Sequence, residues 1–428
     1  GIFFGDFANL LNPLSYCEII LQTNPCQPVW ATVLTKKGIR SFGDININDE
    51  IWTKDGWSKV IQKSSSGIKE VYKFTTNAGI FYGTETHKIV SNGEKIEVKD
   101  AESIDLLTGP APDSNPLDSQ DIVDGLVFGD GSYHKASNNL IFLYIGQDDQ
   151  DYFSSEVASL IGKHRQGLSK GEERSHEVTT TLTTDEIPKT YNRKIPLRFL
   201  NGNSTKVRGF LRGIYSANGS ICGNRITLKA SSKNVIEKVQ EMLSSIGIIS
   251  YITTNKSTTI QFYNGTYTCK ENYDLNISAD RERFKSLIGF IQGYKNTKLD
   301  TIISELTKKS YPKANYDIIS KTLISTEEVF NITVDNPSHT YWTGGLNVSN
   351  CAEANMATNV CDLASVNLVK CVYKQEDKYI FDYEKFKKLV ANTVRFLDNI
   401  LDISTVPLKE YKEIIKNTRR VGCGVLGL

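Results

Sequence analysis

The sequence predicts a multidomain protein with an all-β domain built from two distant segments, an inserted α/β domain of two similar halves, and α/β segments at both ends. Alternating polar and apolar residues, typical of strands, dominate residues 26–110 and return at 320–350. A segment rich in Pro, Asp and Ser, residues 111–120, reads as a linker after the first β region. Within 121–319 a helix-forming stretch that ends in a polar residue occurs twice, which indicates an internal duplication.

The composition is that of a folded protein with a packed core. Of the 428 residues, 39% are hydrophobic and 23% are charged, as in proteins with packed cores. The net charge of +1 means that contacts with nucleic acid depend on local basic patches. The eight cysteines include no CxxC pair, which argues against a disulfide scaffold and favours a reducing cytoplasm. The sequence shows no transmembrane stretch and no signal peptide. Because it starts at Gly1 without Met, we expect a fragment of a longer gene product.

The first chemical signal lies at the end of the second β segment. Residues 329–349 read as strands around a turn at 335–338, and Asn350 then stands directly before Cys351. An asparagine amide can attack its own backbone carbonyl, close a succinimide and cut the chain. A cysteine just beyond it can hold another peptide as a thioester. A plain β-hairpin is the alternative for this segment taken alone.

A second cysteine with a matching context lies upstream. Residues 22–26 read Gln-Thr-Asn-Pro-Cys. Removal of residues 26–350 would join Pro25 to Cys351 and give the continuous segment Asn-Pro-Cys-Ala-Glu. On these residues the chain resembles an intein placed inside a ribonucleotide reductase large-subunit sequence.

The first β region carries a further element of this kind. Thr84-Glu85-Thr86-His87 resembles the Thr-x-x-His element of the Hint fold, the all-β splicing fold of inteins and hedgehog-type domains. A strand histidine without a catalytic role is the alternative, although the chain has only five histidines. The resemblance implies that Cys26 attacks the Pro25 carbonyl. It also implies that His87, with Thr84 beside it, protonates the departing amine.

The resemblance assigns the later splicing steps as well, and none of them needs a cofactor. Cys351 would take over the acyl group, and Asn350 would cyclise and release the intein. Inteins usually carry a histidine before the terminal asparagine, where this chain has Ser349. His339 is therefore expected as the substitute acid or base. An aspartate often found in the preceding strand is replaced by Asn331.

The duplicated stretches, 121–131 and 207–219, each carry small residues four positions apart on one helix face. They end in Asp130 and Asn218 and resemble the paired motifs of LAGLIDADG (DOD-type) homing endonucleases. The resemblance implies two closely packed helices, a Mg²⁺ site held by Asp130 and Asn218, and double-stranded DNA of the intein-free reductase gene as partner. Plain helix packing is the alternative. Because Asn218 carries no charge, we expect weakened cleavage.

Each half should continue with a strand, at 140–144 and 225–229, and then a helix, at 151–161 and 232–246. A basic loop follows the first of these helices and suits contacts with DNA phosphates. Its candidate residues are Lys163, Arg165, Lys170 and Arg174.

The outer segments, 1–25 and 351–428, resemble reductase large chains, which implies that the spliced host protein reduces ribonucleotides. The short interval from Cys351 to Cys361 resembles the adenosylcobalamin-dependent class. The competing hypothesis is a reductase fragment with a structural insertion that does not splice, and it predicts an uncut chain. By the resemblance, the reductase residues would be the thiyl-radical Cys351, the substrate-handling Asn24 and Glu353, and the redox-active Cys361.

Overall fold

The computed structural model describes residues 26–134, 140–164, 174–262, 265–305, 313–350, 362–404, 419 and 421–427. These residues belong to two compact units, one within 26–350 and one from 362 onward. In the described part of the chain, no helix is long and apolar enough to cross a membrane. Several candidate site residues lie outside the described residues: Asn24, Arg165, Lys170, Cys351, Glu353 and Cys361.

The first β region, up to residue 105, consists of short antiparallel strands and one long one. Gly38 and Gly56 lie in turns and have positive φ angles, a backbone conformation that only a residue without Cβ adopts easily. The strands are β1 Gln27–Pro28, β2 Thr32–Thr35, β3 Gly38–Ser41, β4 Glu50–Thr53, β5 Gly56–Thr75, β6 Ile80–Gly83, β7 Lys88–Ser91, β8 Glu94–Glu97 and β9 Ser103–Asp105.

The second β region joins the first in the same sheets. Its long strand pairs antiparallel with β5, and its last strand pairs with β7. Pairing begins at Asn315, earlier than the predicted boundary at residue 320, because the first strand of this region pairs with β9. The two distant segments therefore build one β domain around a common core. The strands are β20 Asn315–Asp317, β21 Ser320–Val334, β22 Thr340–Thr343 and β23 Leu346–Ser349.

In the part of the inserted region that the structure describes, two four-stranded antiparallel sheets are present. The sheet orders are β10-β11-β13-β12 and β14-β15-β19-β16. Its helices are α1 Ser119–Asp130, α2 Asp151–Ser154, α3 Leu197–Leu200, α4 Ser204–Asn218, α5 Lys233–Ser245, α6 Arg281–Leu287 and α7 Gly293–Ser304. Its strands are β10 Ser132–His134, β11 Leu140–Ile145, β12 Ile161–His164, β13 Arg174–Val178, β14 Gly219–Cys222, β15 Arg225–Ala230, β16 Tyr251–Asn255, β17 Thr258–Phe262, β18 Gly265–Cys269 and β19 Asn272–Ile277.

Two predictions for the first half were wrong. The helix expected at 151–161 stops at Ser154, where Ser155 takes an extended backbone conformation and its hydroxyl accepts a long hydrogen bond from the Val157 N–H (3.4 Å) in place of helical pairing. The expected basic loop is partly strand. Lys163 lies in β12 and Arg174 in β13, and these strands pair antiparallel.

The inserted region is not independent of the β domain. Trp342 of β22 is 0% exposed and packs in the hydrophobic core of the inserted region. Its indole N–H donates to the Ser244 hydroxyl of α5 at 3.1 Å. An ion pair of 2.9 Å between Lys73 and Glu237 also joins the two regions. The hairpin β22–β23, which leads to Asn350, is thus held by β7 of the β domain and by α5 of the inserted region.

The described residues of the second unit form two two-stranded sheets and one long helix, α8 Tyr383–Ile403. Asp382 caps this helix by accepting from the Lys385 N–H at 2.8 Å. Leu397 and Leu401 lie on its buried face. The elements are β24 Asp362–Asn367, β25 Val372–Gln375, β26 Lys378–Phe381, α8 Tyr383–Ile403 and β27 Val421–Leu426.

Candidate functional site

Cys26 lies at the start of the first β region and is 0% exposed. Its side chain is in a small apolar cluster with Val71 and Val329. Burial raises the pKa of the thiol, whereas the side chains of Ser66 and Lys69 act in the opposite direction. The thiolate needed for nucleophilic attack therefore depends on these polar neighbours.

Thr84 and His87 form a turn against the Cys26 backbone. The Thr84 N–H donates to the Cys26 carbonyl at 3.1 Å, and the His87 N–H donates to the Thr84 carbonyl at 3.1 Å. Both side chains are buried. Among the described residues, neither the Thr84 hydroxyl nor either ring nitrogen of His87 has a hydrogen-bond partner of good geometry. These polar groups are thus available to a reacting group at the junction.

The His87 ring lies near backbone groups at both ends of the segment 26–350. It faces backbone groups of Cys26 and of Ser349, which favour its charged form, but burial dominates and lowers the pKa of His87 to about 3. The placement follows from the strands, because His87 directly precedes β7, and β7 pairs with β23 through Ile89 and Val348. A neutral imidazole therefore lies beside both ends of the segment 26–350.

Gln27 ties the two ends together, and sequence reasoning missed it. Its side-chain amide donates to the Tyr82 carbonyl at 2.8 Å and to the Thr343 hydroxyl at 3.3 Å. The Tyr341 hydroxyl donates to its side-chain oxygen at 2.6 Å. The sequence did not mark Gln27 as a functional residue, because its hydrogen-bond partners are brought to it only by the pairing of the strands.

Asn350 is 2% exposed, and its backbone and side-chain N–H groups share one carbonyl acceptor. Its backbone N–H donates to the His339 carbonyl at 3.0 Å. In the amide orientation that satisfies both side-chain atoms, Nδ2 also donates to the His339 carbonyl at 3.0 Å, and Oδ1 accepts from the Val334 N–H at 2.9 Å. His339 has φ of +47°, and its Nδ1 is buried without a hydrogen-bond partner among the described residues. The contact from His339 to Asn350 runs through the main chain.

Ser349 touches the carbonyl group that cyclisation would attack. Its hydroxyl donates to the Asn350 carbonyl oxygen at 2.9 Å and has the His339 carbonyl as a second acceptor at 3.3 Å. A donor at this oxygen stabilises the negative charge that develops on it. Sequence reasoning missed this role, because it judged Ser349 only as an absent histidine.

A second site lies at the ends of α1 and α4. The two helix backbones touch, since a Cβ on Gly125 would lie 2.2 Å from the Phe210 carbonyl oxygen and one on Gly213 would lie 2.1 Å from that of Ile122. This close approach brings Asp130 next to Asn218. Both end residues line a cavity of about 580 Å³.

The surroundings of Asp130 are electrostatically mixed. Partial burial raises the pKa of its carboxyl group, and the nearby Asp149 acts in the same direction, whereas Arg193 and Lys295 act against it. The Arg193 guanidinium donates to the carbonyls of Gly129 (2.6 Å) and Gly131 (3.0 Å) at the end of α1. Arg193 thereby caps the helix, a role that no sequence pattern indicated.

The donors at this second site fit a Mg²⁺ ion. A carboxylate from Asp130 and an amide oxygen from Asn218 are ligands that this ion prefers. Burial and, to a smaller extent, the charge of Asp149 raise the pKa of the Asp130 carboxyl group, and a bound cation would act against both by favouring the charged carboxylate. Among the described residues, no group of three or more His, Cys, Asp or Glu side chains forms a metal cluster. Basic residues of the same cavity include Arg193, Lys229 and Lys270.

Known structures resemble parts of the chain. A crystal structure of the gp41-1 intein shares 19% identity, covers 20% of this chain and 68% of that chain, and gives a TM-score of 0.18. The crystal structure of I-DmoI in complex with DNA and Ca shares 19% identity, covers 43% and 97%, and gives a TM-score of 0.29. Scores of this size do not establish a common fold.

The sequence relatives include reductases. A ribonucleoside-diphosphate reductase subunit alpha of Chlamydia pneumoniae is 40% identical over 78 residues, which are 18% of this chain and 7% of the relative. A vitamin B12-dependent ribonucleoside-diphosphate reductase of Thermoplasma acidophilum is 36% identical over 67 residues, 16% of this chain and 8% of the relative. The chain thus spans less than a tenth of the length of either relative. The family model described as ribonucleotide reductase, barrel domain, matches residues 1–428. The chain therefore belongs to the ribonucleotide reductase barrel-domain family.

Proposed function

We propose that residues 26–350 are a self-splicing intein of the Hint type, which excises itself and joins Pro25 to Cys351. One observation carries this proposal. The buried His87 ring faces the backbone of Cys26 at one end of the segment and of Ser349 at the other. The fold thus gathers both ends of the segment around one imidazole, as coupled cleavage at two distant peptide bonds requires.

In the first step, the Cys26 sulfur attacks the Pro25 carbonyl carbon. A carbon–sulfur bond forms, the carbon–nitrogen bond to Cys26 breaks, and the thiol proton ends on the released amine. Because His87 is neutral at pH 7, it must accept this proton before it donates it. The Thr84 N–H, which binds the Cys26 carbonyl, holds the junction in place during the transfer.

In the later steps, the Cys351 thiol displaces Cys26 from the thioester and carries the acyl group. Asn350 Nδ2 then attacks its own carbonyl carbon, and the bond to Cys351 breaks. The Ser349 hydroxyl donates to the oxygen that becomes negative. We propose His339 as the acid or base of this step, since its buried Nδ1 has no partner among the described residues. The freed amine of Cys351 finally takes the acyl group as an amide.

Mass spectrometry of the freshly expressed chain tests the proposal. We expect two products, an excised polypeptide of residues 26–350 and a ligated product that contains Pro25 joined to Cys351. The alternative, a reductase fragment with a structural insertion, predicts one stable chain of 428 residues. A sample that stays entirely at 47.9 kDa under reducing conditions would exclude splicing.

We further propose a DNA homing endonuclease of the LAGLIDADG type within residues 121–319. The observation that favours it is the close contact of α1 and α4, which places Asp130 beside Asn218. These two residues would hold Mg²⁺, which supplies charge stabilisation for phosphodiester hydrolysis when bound. Lys163, Arg165, Lys170 and Arg174 would contact phosphates of double-stranded DNA spanning the intein-free reductase site.

The missing acid predicts an asymmetric nuclease. Each acid of a two-acid site helps to cut one strand, so we expect weak, Mg²⁺-dependent cleavage biased to one strand, or none. Asn218→Asp should increase double-strand cutting and Asp130→Asn should abolish what remains, as measured on a plasmid that carries the intein-free junction. Splicing of both variants should match the parent. Vigorous double-strand cutting by the unmodified chain would contradict the asymmetry.

The host protein is a third element of the proposal. After splicing, Cys351 would carry the thiyl radical of ribonucleotide reduction, with Asn24 and Glu353 at the substrate and Cys361 in the redox pair. The short interval from Cys351 to Cys361 and the vitamin B12-dependent relative support adenosylcobalamin as cofactor of the complete enzyme.

A further inference from the structure

The long strand β5 is irregular at the point where it passes Cys26. Its pairing with β21 slips between Ile68, opposite Glu328, and Ser65, opposite Phe330. Gly67 lies in this bulge with φ of +78°, a conformation that favours glycine. Bulges redirect neighbouring side chains and occur beside active sites.

Two polar side chains next to this bulge reach the Cys26 thiol. Lys69 Nζ lies 3.9 Å from the Cys26 sulfur, and the Ser66 side chain forms a hydrogen bond with the same sulfur. Lys69 is half-buried, so solvent screens its charge only in part. An ammonium group at this distance favours the thiolate over the thiol.

The other titratable groups around Cys26 do not supply this charge. His87 is neutral at pH 7 because burial lowers its pKa to about 3. Glu327 stands opposite Lys69 in the strand register, and its carboxylate accepts from the Trp30 indole at 3.1 Å. The Glu328 carboxylate accepts from the Ser65 hydroxyl at 2.6 Å. Lys69 is thus the positive group that the described structure places against the sulfur.

We propose that Lys69 is a catalytic residue of the first splicing step, in which its ammonium group stabilises the Cys26 thiolate as the sulfur attacks the preceding carbonyl. The inference rests on the proposed splicing function and deepens it. Lys69 is not consumed, since the thiol proton still passes to the released amine. The Ser66 hydroxyl assists as a neutral donor to the same sulfur.

The test isolates the first step in the full chain. Asn350→Ala combined with Cys351→Ala blocks the later steps, so hydroxylamine or dithiothreitol releases residues 1–25 only through the Cys26 thioester. In this background Lys69→Met should raise the pH of half-maximal cleavage by roughly 1 to 2 units. The rate at pH 7 should fall by roughly 10- to 100-fold and approach the parent rate near pH 10. Lys69→Arg should stay close to the parent.

A structural role for Lys69 predicts a different profile. Lys69→Met would then lower the rate equally at every pH, and that result would overturn the proposal. Lys59→Met, at an exposed position of the same strand, is the matched control and should leave the profile unchanged. Absence of cleavage in the background itself would reject the splicing function, whereas a normal background with an unshifted Lys69→Met profile rejects only this inference.

Discussion

Cys26→Ala should abolish ligated product, and Asn350→Ala should halt the reaction at a later stage. Alanine at position 26 cannot form the thioester, so the N-terminal junction stays intact. Alanine at position 350 lacks the amide that cuts the chain, so a branched species or an N-terminally cleaved species should accumulate. Denaturing electrophoresis and intact-mass measurement after expression distinguish these products.

Cys222→Ala is the control for the loss of a thiol, because Cys222 lies in β14 of the inserted region. It should splice like the parent. Ligated product from both Cys26→Ala and Asn350→Ala would rule out the intein mechanism, since no other pair of residues is proposed for the two cuts.

The secondary structure could be predicted from the sequence where a periodic hydrophobic pattern coincides with residues that begin or end a helix. The stretch at 121–131 was predicted as a helix, and α1 runs from Ser119 to Asp130 with Asp118 as its cap. The small residues four positions apart predicted the close packing with α4, because a glycine face allows backbone contact. The helix predicted at 151–161 ends early because the backbone of Ser155 is extended, and serine side chains offer the backbone such local alternatives to a helix.

The contacts around the two proposed splice junctions could be predicted only in part. The pairing of Asn350 with Cys351 pointed to cyclisation because that chemistry needs adjacent residues. The roles of Ser349, Gln27 and Lys69 depend on strand register and on one bulge, which side-chain identity does not encode. His339 was chosen for its imidazole, yet its carbonyl makes the contact with Asn350.

The coupling between regions was also hidden. Trp342 reads in sequence as one more alternating strand residue. Its partner Ser244 lies on α5, far away in the chain and in what the pattern assigned to another domain. Periodicity cannot reveal that an inserted region shares a core residue with its host domain. A strand residue buried in the host domain and one buried in the insertion give the same alternation of polar and apolar residues.

His87→Gln should have the second largest effect. Glutamine keeps a polar side chain of similar reach but cannot take up and pass on a proton. A positioned general acid–base group contributes roughly 100- to 10,000-fold in rate, so thiol-induced cleavage at Cys26 should slow by that range. Single-turnover cleavage of the Asn350→Ala/Cys351→Ala background measures the change. His176→Gln, a buried histidine of the inserted region, is the control and should cleave normally.

The same substitution should change the pH dependence of stability. The folded-state pKa of His87, about 3, lies below the ordinary value of 6.5, because burial disfavours the charged ring. Below pH 6.5 the unfolded chain therefore binds a proton that the folded chain refuses, and the free energy of unfolding falls as the pH drops. Between pH 6.5 and about 5 this histidine alone should lower the free energy of unfolding by roughly 2 kcal/mol.

Urea unfolding of the non-splicing Cys26→Ala/Asn350→Ala chain, with and without His87→Gln, measures this contribution. It is the difference between the slopes of unfolding free energy against pH for the two chains. Equal slopes would show that the imidazole is already solvated or charged in the folded chain, and its assignment as a neutral proton carrier between the two junctions would then be wrong.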